Sequence, residues 1–79
     1  MARLPVDAAP ERVIQALTRL GFRLLREGSH ISMARKNADG VSARLTIPNH
    51  RRIKGSTLHT VLTHACIPIE DFLNAYEAV

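Results

Sequence analysis

The chain has 79 residues, enough for one domain, and 46% of them are hydrophobic with three aromatics and no tryptophan, so its small core must be built mainly from Leu, Ile and Val. The opening MARLPVDAAP lacks an apolar signal core, and no apolar run approaches the length of a membrane span; both argue against a membrane protein and make the cytoplasm the expected compartment. All eleven Lys and Arg lie between Arg3 and Lys54 beside four acids, a balance of +7, whereas the segment from Ser56 onward has three acids and no Lys or Arg, a balance of −3. A polyanion would be drawn to the first part only, unless the charges serve solubility alone.

In chain order, Val13, Ile14, Leu17 and Leu20 recur at helical spacing from Pro10 to Leu20. This predicts an amphipathic helix with Asp7 or Ala9 at its N-cap, Pro10 in its first turn and Gly21 ending it. FRLLRE reads as a short strand closed by Gly28 and Ser29. HISMARK follows as a second strand, with Ile31, Met33 and Arg35 on one side and His30, Ser32, Ala34 and Lys36 on the other. NADG is a turn signal leading into VSARLTI, whose Val41, Ala43, Leu45 and Ile47 share one face, with Ser42, Arg44 and Thr46 on the other. These three strands are expected to form an antiparallel meander with one apolar and one polar face.

Pro48 stops the third strand, and NHRRIKG is a basic loop. A second helix carrying Leu58, Val61, Leu62 and Ala65 is expected to be capped by Gly55 or Ser56 and broken by Pro68. A last helix from about Ile69 should bury Phe72, Leu73 and Tyr76 and expose Glu70, Asp71 and Glu77. Cys66, the lone cysteine, has an apolar context and reads as a buried small hydrophobe in a reducing compartment. The class is α+β, a sheet with helices on one face and the other face open.

On that open face His30 is expected beside Ser32, Arg44 and Thr46. Imidazole exchanges protons near neutral pH, and the Gly28–Ser29 turn would let backbone N–H groups approach an anionic oxygen beside it. A histidine at a strand end can equally be an ordinary surface residue. His50, Arg51, Arg52 and Lys54 precede a helix start at Gly55, Ser56 and Thr57; basic side chains ahead of unpaired helical N–H groups would clamp phosphate, though ordinary capping and a solvated loop explain the same residues. His59 and His64 lie on different faces of their helix and with Cys66 make no metal site, so no metal or other cofactor is expected.

Taken together, ALTRLGFRLLREGSHISMARK, RLTIPNH and GSTLHTVLTHACIPIEDFL resemble, in order and over nearly the whole chain, the HicA-type toxins of bacterial toxin–antitoxin pairs. The chain departs from that pattern at Ser56, which lies between Gly55 and Thr57 where many members read Gly-Thr-Leu, and at Pro68, where a capping serine is common. The resemblance implies a single HicA-like domain over residues 1–79 with a double-stranded-RNA-binding-domain-like fold, α-β-β-β-α(-α), in which a three-stranded antiparallel sheet has its helices packed on one face. It implies that the chain is the toxin of a type II toxin–antitoxin system, an mRNA interferase cleaving mRNA without the ribosome. By the same match His30 is the catalytic histidine, Gly28 and Ser29 shape its turn, and a HicB-type antitoxin is the protein partner in a hetero-oligomeric complex. RNA supplies its own nucleophile in the 2′-hydroxyl, so a metal-independent endoribonuclease is expected, with His30 in acid/base catalysis and Arg44, His50, Arg51, Arg52, Lys54, Ser56 and Thr57 binding RNA. The alternative is a non-catalytic RNA-binding module of the same fold.

Overall fold

The computed structural model describes residues 4–36, 40 and 42–79. In chain order the elements are β1 (Asp7–Ala8), α1 (Pro10–Arg19), β2 (Arg23–Glu27), β3 (His30–Lys36), β4 (Ser42–Pro48), β5 (Ile53–Lys54), α2 (Gly55–His64) and α3 (Ile69–Glu77). β2, β3 and β4 form the expected antiparallel meander in sequence order, while β1 and β5, which were not expected, pair as a separate two-stranded ribbon.

α1 starts at Pro10, whose missing N–H would be unpaired at that position anyway. Its N-cap is Ala9, not Asp7, and no side chain caps it; the Ala9 carbonyl accepts from the N–H groups of Arg12 and Val13. Its C-terminus closes in a Schellman motif: Gly21 N–H donates to Thr18 O at 3.0 Å and Phe22 N–H to Leu17 O at 3.0 Å. Gly21 stands at φ +97°, a conformation costly for residues with a Cβ.

α2 ends the same way, with Cys66 N–H on Thr63 O at 3.1 Å and Ile67 N–H on Leu62 O at 2.9 Å. Cys66 therefore occupies the left-handed position at φ 58°, and it is exposed rather than buried. The apolar residue of the pair is Ile67, which packs into the core while the thiol is turned outward. α2 is capped by neither Gly55 nor Ser56: Lys54 is its N-cap, and Gly55 is its first residue. α3 begins at Ile69 as expected and buries Phe72, Ala75 and Tyr76, with Leu73 partly buried.

The core lies between the helices and one face of the sheet. Val13, Ala16 and Leu17 of α1, Ile31 and Met33 of β3, Leu45 and Ile47 of β4, Leu58 and Leu62 of α2, and Phe72 of α3 meet there with Phe22 and Ile53. The period-two pattern of β3 and β4 dictates this, because a one-residue slip would turn those side chains to water. Arg35 falls on the inner side, as the alternation requires. Its guanidinium carbon lies 4.8 Å from the Phe22 ring centroid and its Nη1 donates to the carbonyl of Leu20, the C-cap of α1, at 3.1 Å. Its Nε is buried without a partner among the described residues. Asn37, Ala38, Asp39 and Val41, expected in the hairpin turn and at the start of the third strand, lie outside the described residues; Gly40 has φ +85°.

Candidate nucleic-acid interface

His30 opens β3 directly after the Gly28–Ser29 turn and is exposed. Gly28 N–H donates to His30 O at 3.1 Å, so this amide of the turn is occupied by the turn itself and is not offered to an anion. Asn49 fastens the turn from the far side: its backbone N–H donates to Ser29 O at 3.1 Å and its Nδ2 to Gly28 O at 2.7 Å. Gly28 is not in the left-handed region, and a Cβ there would meet nothing; neither conformation nor space demands glycine at that position. The Ser29 hydroxyl lies 3.4 Å from His30 Nδ1, which leaves Nε2 as the ring nitrogen for an incoming group.

The register fixes what shares the open face with His30. On β3 the face carries His30, Ser32, Ala34 and Lys36, set opposite Pro48, Thr46, Arg44 and Ser42 of β4. On the other side Arg26 pairs with Ser32 and Arg23 with Ala34. This pairing is possible only because a bulge interrupts β2 between Leu24 and Arg26. Strict alternation would put Arg23, Leu25 and Glu27 on one face, whereas the extra residue brings Arg23 and Arg26 together. Strand reading from sequence missed both arginines; the spacing Arg-Leu-Leu-Arg ahead of a Gly-Ser turn is the one trace they leave.

The loop after β4 is placed differently from the open-face residues. His50 and Arg51 border a hollow of about 310 Å³ beside the start of α1, with Asn49, Glu27, Glu11 and the inward-facing Ile31, so they lie on the helix side of the sheet. Arg52 pairs with Asp7 at 3.8 Å, both largely exposed. Arg51 and Arg52 also border a second hollow with Arg12 and Tyr76, where Arg12 stacks 4.2 Å from the Tyr76 ring centroid and donates to Tyr76 O at 3.3 Å.

At the start of α2 one of the helical N–H groups is already taken. Gly55 N–H donates to Val6 O at 3.0 Å, and a Cβ on Gly55 would lie 2.8 Å from Pro5 O. Lys54 and Ser56 are exposed and Thr57 is half-buried. The structure thus sets His30, Ser32, Arg44 and Thr46 on one face, as expected. His50, Arg51 and Arg52 stand apart from them, joined to the turn through Asn49. Among the described residues no three of His, Cys, Asp and Glu gather as a metal site.

A family model described as HicA toxin of bacterial toxin-antitoxin matches residues 10–67. The chain belongs to the HicA toxin family. The HicA match spans α1 through the end of α2 and includes the whole open face. As a HicA toxin the chain is the toxin half of a toxin–antitoxin pair, with an antitoxin as its counterpart. No curated protein and no solved structure gives a significant match to it. No helix among the described residues is long and apolar enough to cross a membrane.

Proposed function

We propose that the protein is a metal-independent endoribonuclease, an mRNA interferase acting in the cytoplasm and held in check by a HicB-type antitoxin. The observation that carries this reading is the exposed His30 imidazole at the rim of a cationic sheet face in a chain of the HicA family.

The chemistry needs little more. His30 Nε2 takes the proton of a ribose 2′-hydroxyl, and the 2′-oxygen attacks the adjacent phosphorus. The bond from phosphorus to the 5′-oxygen then breaks, and the leaving oxygen takes a proton from solvent. The products are a 2′,3′-cyclic phosphate and a 5′-hydroxyl. A positioned base of this kind contributes on the order of 10² to 10⁴ in rate. Ser29 steadies the imidazole through Nδ1. Arg44 holds the strand on the open face, and His50 and Arg51 contact it beyond the turn, next to the Asn49 that fastens it; Arg52, Lys54, Ser56 and Thr57 contact RNA farther along the loop and at the start of α2.

The test is cleavage of a defined transcript by wild type and His30→Ala with EDTA present. Wild type is expected to cleave and leave cyclic-phosphate ends, while His30→Ala is folded and inactive. Equal cleavage by the two proteins, or strict dependence of wild type on an added divalent ion, overturns the reading.

A further inference from the structure

Among the described residues, strand register makes Arg26, not Arg44, the cation nearest to His30 on the open face. Arg44 pairs with Ala34, four residues along β3 from the histidine, which is roughly 13 Å at ~3.3 Å per residue. Arg26 pairs with Ser32, one step from His30 on the same face, and such diagonal neighbours have side chains about 7 to 8 Å apart at their bases. A guanidinium spans that gap easily and presents several N–H donors in a rigid fork suited to phosphate.

Farther from the histidine the face stays cationic. Arg23 and Arg44 flank Ala34 in one row, and Ala34 between them is buried. At the end of the sheet, Arg23, Ala34, Arg35, Lys36 and Ser42 border a hollow of about 560 Å³ that also reaches Gly21 and, among the described residues, has no carboxylate in its lining. Glu27 belongs to the other side, lining the hollow next to α1.

From this register we infer that the open face is a phosphate track for a single RNA strand, with Arg26 on the phosphate being cleaved and Arg23, Lys36 and Arg44 on neighbouring phosphates. The inference rests on the ribonuclease reading and deepens it. Arg26 donates to the non-bridging oxygens as the 2′-oxygen attacks and charge builds on phosphorus, where preorganised donors act most strongly. Arg23 and Lys36 bind the strand equally before and during the reaction, so they set affinity and not rate. The bulge at Leu25 is the device that permits this division, since without the extra residue Leu25 would take the place opposite Ser32.

Two measurements on the full chain separate the roles. The first is affinity for a 2′-O-methyl RNA strand, which cannot be cleaved. The second is the single-turnover rate on the matching RNA with protein in saturating excess. Arg26→Gln is expected to lower the rate by about 10²-fold, the usual loss for one such donor, and affinity by less than about threefold, with Arg26→Lys between it and wild type. Arg23→Gln and Lys36→Gln should each weaken affinity severalfold and reduce the salt dependence by about one counterion, with saturated rates unchanged. Arg19→Gln, an equal charge loss on α1, should change neither quantity.

A saturated rate for Arg26→Gln equal to wild type overturns the role of Arg26. Affinities of Arg23→Gln and Lys36→Gln equal to that of Arg19→Gln overturn the track. Failure of the ribonuclease reading itself shows elsewhere, as equal rates for wild type and His30→Ala or as no cleavage by wild type. In the second case the affinity arm decides: loss of binding in Arg23→Gln and Lys36→Gln supports the track, and binding by both equal to that of Arg19→Gln overturns it.

Discussion

Asn49 holds Gly28 through a 2.7 Å hydrogen bond from its side-chain amide to the glycine carbonyl, across 21 positions of sequence. With the Asn49 backbone N–H on Ser29 O, this contact joins the turn that carries His30 to the loop that follows β4. The residue at the rim of the open face is thus positioned by the residue that follows the last strand of the meander, next to the Pro48 with which His30 pairs.

Replacing Asn49 with Ala should therefore cost function more than stability. One exposed hydrogen bond contributes about 0.5 to 1.5 kcal/mol, a few degrees of Tm in a domain this size. Cleavage should fall by at least about tenfold, because small misplacements of a catalytic group are expensive. Thermal denaturation beside single-turnover cleavage checks both halves, and a variant that loses stability with full activity refutes the positioning role.

Cys66→Gly should stabilise the protein. The left-handed conformation costs a residue with a Cβ roughly 1 to 2 kcal/mol, while the extra freedom of glycine in the unfolded chain returns about 0.4 to 1 kcal/mol of that. The net is about +1 kcal/mol, or about 4 to 8 °C in Tm for a domain of this length. The same geometry predicts that a thiol reagent labels Cys66 in the native protein without unfolding, which mass spectrometry reads directly.

Gly55→Ala should destabilise, although alanine is ordinarily the better helix former. Propensity favours alanine by at most about 1 kcal/mol, and less at the first helical residue. Against it stands a Cβ 2.8 Å from the Pro5 carbonyl oxygen, a backbone atom that moves only if the segment before β1 moves. Overpacking of this kind typically costs about 1 to 3 kcal/mol. A lower urea midpoint with an unchanged slope is the expected signature.

Arg35→Ala should cost about 2 kcal/mol, combining the lost stacking on Phe22 with the lost charged hydrogen bond to Leu20 O. Arg35→Lys should recover little of it, since an ammonium cannot lie flat on the ring and reach the carbonyl in the same geometry. Equal Tm values for wild type and Arg35→Ala would show that the contact contributes nothing.

How far the site can be read from sequence varies with the kind of signal. Ile31, Met33, Leu45 and Ile47 alternate with polar residues, so their burial and the exposure of His30, Arg44 and Thr46 follow from period two alone. Arg23 and Arg26 do not, because a bulge adds one residue to one strand and no local pattern announces it. Asn49 looks like one more polar loop residue until its partner is known. Cys66 and Gly55 fail for a related reason: the first is set by a helix end that needs a left-handed residue just where the apolar Ile67 must turn inward, and the second by a carbonyl from the far end of the chain.

Periodicity, charge and the ordered motifs by themselves determined the α+β class, the faces of β3 and β4, and the family to which the chain belongs, since each of these is a local regularity carried along consecutive residues. Tertiary structure alone decided which cation stands beside His30, what secures its turn, and where the loop arginines lie. Those relationships join residues far apart in sequence through strand register and backbone hydrogen bonds, and register across a bulge is settled by packing the whole sheet against its helices.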